Sequence, residues 1–275
     1  MTKRAIKAFV NYLVSVISRN KYGIRFIDYF ITQVINKTET VYHNGTKFIL
    51  STPNGLNHYR ADTFSSKEPE TLEWIDTFNN GSILWDIGAN VGLYSCYAAK
   101  TKNCKVYSFE PSVFNLELLA KNIWLNSLTT NISIVPMPLS DKIGFNTLNM
   151  SSVLWGGALS TFGETYGYDG EDLNTVFEFT TLGITMNESN SILKIPIPDY
   201  IKIDVDGIEH LILKGVLDIL KKCKSILIEI DDDFELQSNQ TKELLLNCGL
   251  YLLEKKHAEI YNNTTTFNQI WVRDK

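Results

Sequence analysis

Several familiar devices are missing from this 275-residue chain. Its four cysteines, Cys96, Cys104, Cys223 and Cys248, stand far apart with no C-x-x-C pair. That spacing excludes a zinc knuckle and a thioredoxin-like motif, and it predicts buried, reduced thiols in a cytoplasmic protein. The net charge is -5, so the overall basic field that grips nucleic acid is absent, and no nucleic-acid partner is expected. No apolar run is long enough to span a bilayer. The best, from Ala5 to Ile17, is broken by Lys7, Asn11 and Ser15 and lacks the small-residue cleavage site of a signal peptide. A G-x-S-x-G elbow and a P-loop are also absent. One local lack stands out. From Met1 to Ile27 there are six basic residues (Lys3, Arg4, Lys7, Arg19, Lys21, Arg25) and no acidic one.

What is present is a strand, a tight turn and a helix in immediate succession. Ile83-Leu84-Trp85-Asp86-Ile87 is an apolar run with an acid near its end, Gly88-Ala89-Asn90-Val91-Gly92 a glycine-rich turn, and Leu93 to Ala99 a helical pattern. Glycines let a chain turn sharply and let a ligand approach bare backbone, and the helix N-terminus offers free N–H groups. The same alternation recurs. Strands are expected at 105–109, 132–135, 200–205, 225–230, 251–254 and 269–272, with helices at 114–125, 208–220 and 239–247 between them. This predicts an α/β domain built on a seven-stranded, mostly parallel sheet with helices on both faces and an antiparallel hairpin at one edge. Residues 63–275 are assigned to it. Within them, 142–198 read as an insertion of short strands, rich in glycine and aromatics, that partly covers the site.

Residues 1–62 form an extension. Ile6, Phe9, Val10, Leu13 and Ile17 recur at helical spacing, and a second helical run over 26–35 follows a break at Lys21-Tyr22-Gly23. Val41 to Leu50 reads as a hairpin around Asn44-Gly45. Two roles for residues 1–38 stand side by side: packing on the main domain or on a partner subunit of a homo-oligomer, and contact with an anionic membrane, which would hold the protein at its inner face.

In an open parallel sheet, ligands sit at the carboxyl ends of the strands. Asp86, Glu110, Asp141, Asp204 and Asp231 all fall at or just after such ends. Glu110 lies about 20 residues past the glycine turn, where an acid can accept hydrogen bonds from a ribose diol. The turn is not the full G-x-G-x-x-G fingerprint, because Asn90 takes the place of the middle glycine. An acid at the strand tip suits a cationic donor without a pyrophosphate, as S-adenosylmethionine is, better than it suits NAD.

The segments Trp85-Asp-Ile-Gly-Ala-Asn-Val-Gly92, Phe109-Glu-Pro111, Leu139-Ser-Asp141, Ile201-Lys-Ile-Asp-Val-Asp-Gly-Ile-Glu-His210, Leu213-Lys-Gly215 and Ile226-Leu-Ile-Glu-Ile230 together resemble the FkbM family of S-adenosylmethionine-dependent methyltransferases. The resemblance covers about residues 63–235. It implies a Rossmann-like class I methyltransferase fold and O-methylation of a hydroxyl on a sugar, a glycan or a related small molecule. It also implies that Asp86, Gly88 and Asn90 line the methionine part of the cofactor, that Glu110 holds the ribose, and that Ser140 and Asp141 lie near the adenine. The chain departs from the family at Thr181-Leu182-Gly183-Ile184, where many relatives carry Thr-Leu-Asp-Asp, and at Asp206, where glutamate is common.

A hydroxyl acceptor must lose a proton. Asp204, Asp206, Glu209 and His210 are the candidate bases. Asp204 with Asp231 or Asp232 could instead hold a divalent metal, although the sequence does not require one. An NAD-dependent oxidoreductase and a non-catalytic cofactor-binding scaffold are the alternative functions.

Overall fold

The structure is a computed structural model that describes residues 2–214, 216–257 and 264–273; Gly215, the end of one of the quoted motifs, lies outside them. The chain opens with two helices, α1 (Lys3–Ile17) and α2 (Lys21–Ile35). Their junction lies earlier than the predicted break. Asn20 caps α2 by accepting from the Tyr22 and Gly23 N–H groups, so Lys21-Tyr22-Gly23 is the first turn of α2. The glycine serves close approach: a Cβ on Gly23 would sit 1.7 Å from the Ile17 carbonyl oxygen.

Strands β1 (Thr38–His43) and β2 (Thr46–Ser51) form the hairpin around Asn44-Gly45, both left-handed. Phe48 and Leu50 of β2 are buried against the main body. A helix not anticipated from the sequence follows, α3 (Gly55–Asp62), capped by Asn54 accepting from the Asn57 N–H. Then comes α4 (Pro69–Asp76), with proline in its first turn where its missing N–H is harmless.

The main body runs β3 (Ile83–Ile87), α5 (Leu93–Lys102), β4 (Lys105–Phe109), α6 (Val113–Leu125), β5 (Ile132–Val135), β6 (Gly144–Met150), β7 (Ser160–Phe162), β8 (Phe177–Gly183), α7 (Met186–Ser191), β9 (Tyr200–Ile203), α8 (Glu209–Ile212), α9 (Leu217–Leu220), β10 (Ser225–Asp231), α10 (Glu235–Asn247), β11 (Tyr251–Lys256) and β12 (Thr266–Val272). Among the described residues the strands form a seven-stranded sheet ordered β11-β12-β10-β9-β3-β4-β5 and a three-stranded sheet ordered β7-β6-β8, besides the hairpin. Within the large sheet β10, β9, β3, β4 and β5 are parallel, and β12 runs antiparallel to both β10 and β11. The predicted sheet and its antiparallel edge are both observed. The single helix predicted over 208–220 is instead the two short helices α8 and α9, with Leu213 and Lys214 in a turn.

Alternation along the strands fills both faces. Trp85 and Ile87 point with Phe109, Ile201 and Ile203 into one core, which the insertion completes with Leu148, Phe162 and Ile184. Leu84, Val106 and Leu227 point into the other, against Cys96, Tyr97 and Phe48. The chain winds outward from β3 to β5, then crosses to β9 on the opposite side of β3. The switch point, and so the crevice for a ligand, lies at the carboxyl ends of β3 and β9.

Candidate functional site

Two turns meet at that switch point. The first joins β3 to α5. Gly88 and Gly92 are left-handed (φ 82 and 78), as is Asn90 (φ 50), a residue type that tolerates this region. The glycines answer to the protein's own packing and not to ligand approach. A Cβ on Gly88 would lie 1.8 Å from the Asp204 carbonyl oxygen, and one on Gly92 would lie 2.3 Å from Leu119 Cδ1. The Asn90 N–H donates to Glu110 Oε2 (2.8 Å) and its Nδ2 to the Gly157 carbonyl (2.9 Å), while its Oδ1 is buried without a hydrogen-bond partner. Glu110 Oε1 accepts from the Ser112 N–H (2.7 Å). Burial pushes the Glu110 carboxyl up to about 7 against these amides, which favour its charged form. Asp86 is buried beneath the turn. Its Oδ2 accepts from the Ser95 hydroxyl and its Oδ1 has no partner, and burial raises its pKa against the pull of Lys202.

The second turn joins β9 to α8. Lys202 is 2 % exposed and donates from Nζ to Asp204 Oδ2 at 2.7 Å. Asp204, Asp86 and Glu68 hold this lysine charged despite its burial, and Lys202, then Lys67 and Arg60, hold Asp204 below the usual carboxylate range. Asp206 is left-handed (φ 62). Its Oδ2 accepts from the N–H groups of Leu159 (2.8 Å) and Ser160 (3.1 Å), tying the insertion down over the crevice. Burial, then neighbouring Asp204, raise Asp206 to about 6. Glu209 is spent on the turn itself: Oε1 accepts from the Val205 N–H, and Oε2 from the Gly207 N–H and Gln237 Nε2.

Three spaces that share lining residues surround the two turns. The first, about 500 Å³, runs from Gly88 and Glu110 past Met137, Pro138 and Leu139 to Phe162, with Asp204 and Asp206 on its wall. The second, about 480 Å³, lies over Asn90 between Arg60, Tyr94, Lys202 and Asp204. The third, about 660 Å³, is bordered by Glu68, Tyr168, Asp206, Glu229 and Asn268. A larger groove, about 1940 Å³, opens at the amino ends of β9 and β10, around Tyr200 and Ser225, away from the switch point.

The structure therefore brings Gly88, Asn90, Glu110, Asp204 and Asp206 to one crevice, with Asp86 directly under it. It separates the others. Met137 to Leu139 form the wall of the first space, and Ser140 and Asp141 lie just beyond it, bonded to each other at 3.2 Å, with Asp141 exposed. His210 lines none of these spaces. It is buried edge-on to Phe234, and burial lowers its pKa to about 4. Asp231 accepts from the Thr265 and Thr266 hydroxyls and the Asp233 N–H, and Asp232 pairs with Lys255. Among the described residues, the one group of three or more potential metal ligands is Glu39, His58 and Asp62, which includes neither Asp204 nor Asp231.

Two residues at the site carried no role in the sequence reading. Lys202 had a signal: a lysine inside the apolar strand Tyr200-Ile-Lys-Ile203 must be buried, and a buried cation needs a partner. Arg60, whose buried Nε lacks a hydrogen-bond partner, had none, because α3 reaches the crevice only through tertiary packing.

Comparison with known proteins gives the family. The family described as "Methyltransferase FkbM domain" matches residues 86–261. The hexuronic acid methyltransferase AglP of Haloferax volcanii is 25% identical over 150 residues, covering 54% of this chain and 55% of its own, so the chain spans about half the length of that curated relative. Among solved structures, the precorrin-6y C5,15-methyltransferase of Geobacter metallireducens is 14% identical over 75% of this chain and 87% of its own (TM-score 0.43). M. jannaschii TYW2 in complex with AdoMet is 14% identical over 87% and 88% (TM-score 0.43). These two likenesses are too distant to carry functional weight.

Proposed function

Because the chain belongs to the FkbM methyltransferase family, we propose that this S-adenosylmethionine-dependent enzyme methylates oxygen, on a hydroxyl of a sugar or glycan. The residues at the crevice fit the donor. Among the described residues Asn90 Oδ1 is a buried acceptor without a donor, suited to an ammonium group, with the Asp86 carboxyl beneath it, and the unpartnered Arg60 Nε suits a carboxylate. Glu110 accepts one amide on each oxygen, which leaves lone pairs for a ribose diol. The apolar wall of Met137, Leu139 and Phe162 suits a flat base. When bound, the donor supplies an electrophilic methyl group.

The protein's own part is positioning and proton removal. Asp206 borders both the first space and the third, and this single observation carries the reading. One of its oxygens is fixed by two amides, and the other has no donor bonded to it among the described residues. Its pKa of about 6 leaves it ionised at neutral pH yet basic enough to take a hydroxyl proton. Asp204 is less suited, since Lys202 holds its charge; that pair orients the second turn. The third space is lined by Glu68, Tyr168, Glu229 and Asn268, and Glu68 Oε2 is buried without a partner, so its chemistry favours an acceptor rich in hydroxyls. Similarity to a hexuronic acid methyltransferase supports the same class.

Incubation with labelled S-adenosylmethionine and a panel of neutral and acidic sugars and glycans tests the reading, with product mass spectrometry locating the methyl group. A methyl ether on a sugar is the expected product. Transfer only to nitrogen or carbon acceptors would overturn the assignment to oxygen, and full activity after metal chelation is expected.

A further inference from the structure

Helices α1 and α2 bury none of their residues, although both are amphipathic. On α1, Ile6, Phe9, Val10 and Leu13 follow helical spacing. On α2, Ile24, Ile31 and Val34 do the same, joined by Phe26 and Phe30. Phe9 is 54% exposed and Phe30 59%. Exposed apolar residues in this number on two amphipathic helices mark an interaction site. The hairpin is nonetheless a built unit. Thr2 and Asn20 cap its helices, and Gly23 lets α2 start directly against the Ile17 carbonyl.

Charge decides what covers it. Residues 3–35 hold six cations and a single acid, Asp28, while the whole chain carries -5, so the acidic balance lies outside the two helices. A second copy seated face to face would set these cations against their like. An anionic surface complements them: each lysine or arginine can lay its stem along the apolar boundary and keep its charge among the headgroups. Tyr12, Tyr22 and Tyr29, all more than half exposed, have the amphipathic rings that settle at that boundary. Each helix has 15 residues, about 22 Å of rise, short of the roughly 30 Å of a hydrocarbon core. No helix among the described residues is long and apolar enough to cross a membrane. We propose that residues 3–35 lie flat on an anionic phospholipid surface and hold the methyltransferase body against it.

Density-gradient flotation of the full chain with vesicles of phosphatidylcholine, alone or mixed equally with phosphatidylglycerol, tests this. The protein is expected to float with the anionic vesicles only. The variant Lys3→Gln, Arg4→Gln, Lys7→Gln is expected to lose affinity on the order of 100-fold. Phe9→Ser with Phe30→Ser should also release it, with unchanged circular dichroism and unchanged S-adenosylhomocysteine binding, because these side chains are exposed. Three results would overturn the proposal: no flotation with either vesicle, equal flotation with both, or a dimer in sedimentation that the Phe9→Ser, Phe30→Ser variant dissociates without any vesicle binding in the parent protein.

Discussion

The two turns at the switch point use the same device for opposite ends. Each has an acid at the carboxyl end of a parallel strand, Asp86 within β3 and Asp204 just after β9, and bends through left-handed residues: Gly88, Asn90 and Gly92 in the first, Asp206 and Gly207 in the second. In the first turn the polar groups are left incomplete. Asp86 Oδ1 and Asn90 Oδ1 are buried without donors, and Glu110 retains lone pairs facing a cavity. In the second turn nearly every group is consumed within the protein. Lys202 takes Asp204, the insertion's amides take one oxygen of Asp206, and Glu209 closes the turn on itself. Unsatisfied buried polar atoms are costly in an empty protein, so a turn that keeps them is shaped for a ligand, whereas a turn that satisfies them is a frame. The remaining oxygen of Asp206 is where, in the function proposed above, the frame meets the acceptor.

The contrast can be broken at its strongest point by Asp206→Asn. It keeps the side chain's shape and an acceptor for Leu159 and Ser160 but removes the proposed base. Turnover should fall by about 10²–10⁴-fold with little change in S-adenosylhomocysteine affinity. Wild-type kcat should rise with pH through about 6, and that inflection should vanish in the variant. Asp204→Asn probes the frame. Lys202 would lose its hydrogen-bonded counter-charge while staying buried, and chemical denaturation should show a loss of about 3 kcal/mol. Glu110→Gln probes the ligand-shaped turn; calorimetry should show S-adenosylhomocysteine binding weakened by about 1–3 kcal/mol, with a smaller change in stability.

The smallest expected effect is a pH dependence of the free protein's stability. Glu110 and Glu209 are each raised from 4.5 to about 7, so the folded state holds protons the unfolded state has released. Their stabilisation is complete below the unfolded value and is lost as pH rises through about 7. His210, lowered from 6.5 to about 4, acts in the opposite sense but only below its unfolded value. The decline should therefore appear as a Tm that falls between about pH 4.5 and 7, partly offset by His210 below 6.5, and levels off above 7, and Glu110→Gln should flatten it.

Much of this architecture is legible in the chain. The alternation of Trp85 and Ile87 with Leu84, and the unbroken burial of Tyr200 to Ile203, follow from strand periodicity, and the acids at strand ends mark the crevice. What is not legible depends on contacts distant in sequence. Gly88 is glycine because Asp204, 116 residues on, brings its carbonyl against it. The wall beside Glu110 falls on Met137 to Leu139, one turn of chain before the acid that attracts attention, because Ser140 and Asp141 bond to one another at the edge. His210 suited a base by its chemistry, but helical geometry buries it against Phe234. Arg60 arrives on a helix whose only sequence signal is the Asn54 cap.

The central claim is that the first turn with Glu110 holds S-adenosylmethionine. Isothermal titration of the wild-type chain and of Glu110→Gln with S-adenosylhomocysteine, and separately with NAD, tests it most directly. One molecule of S-adenosylhomocysteine should bind per chain, more weakly to the variant, and NAD should give no heat. Binding of NAD without S-adenosylhomocysteine, or equal S-adenosylhomocysteine affinity in both proteins, would contradict it.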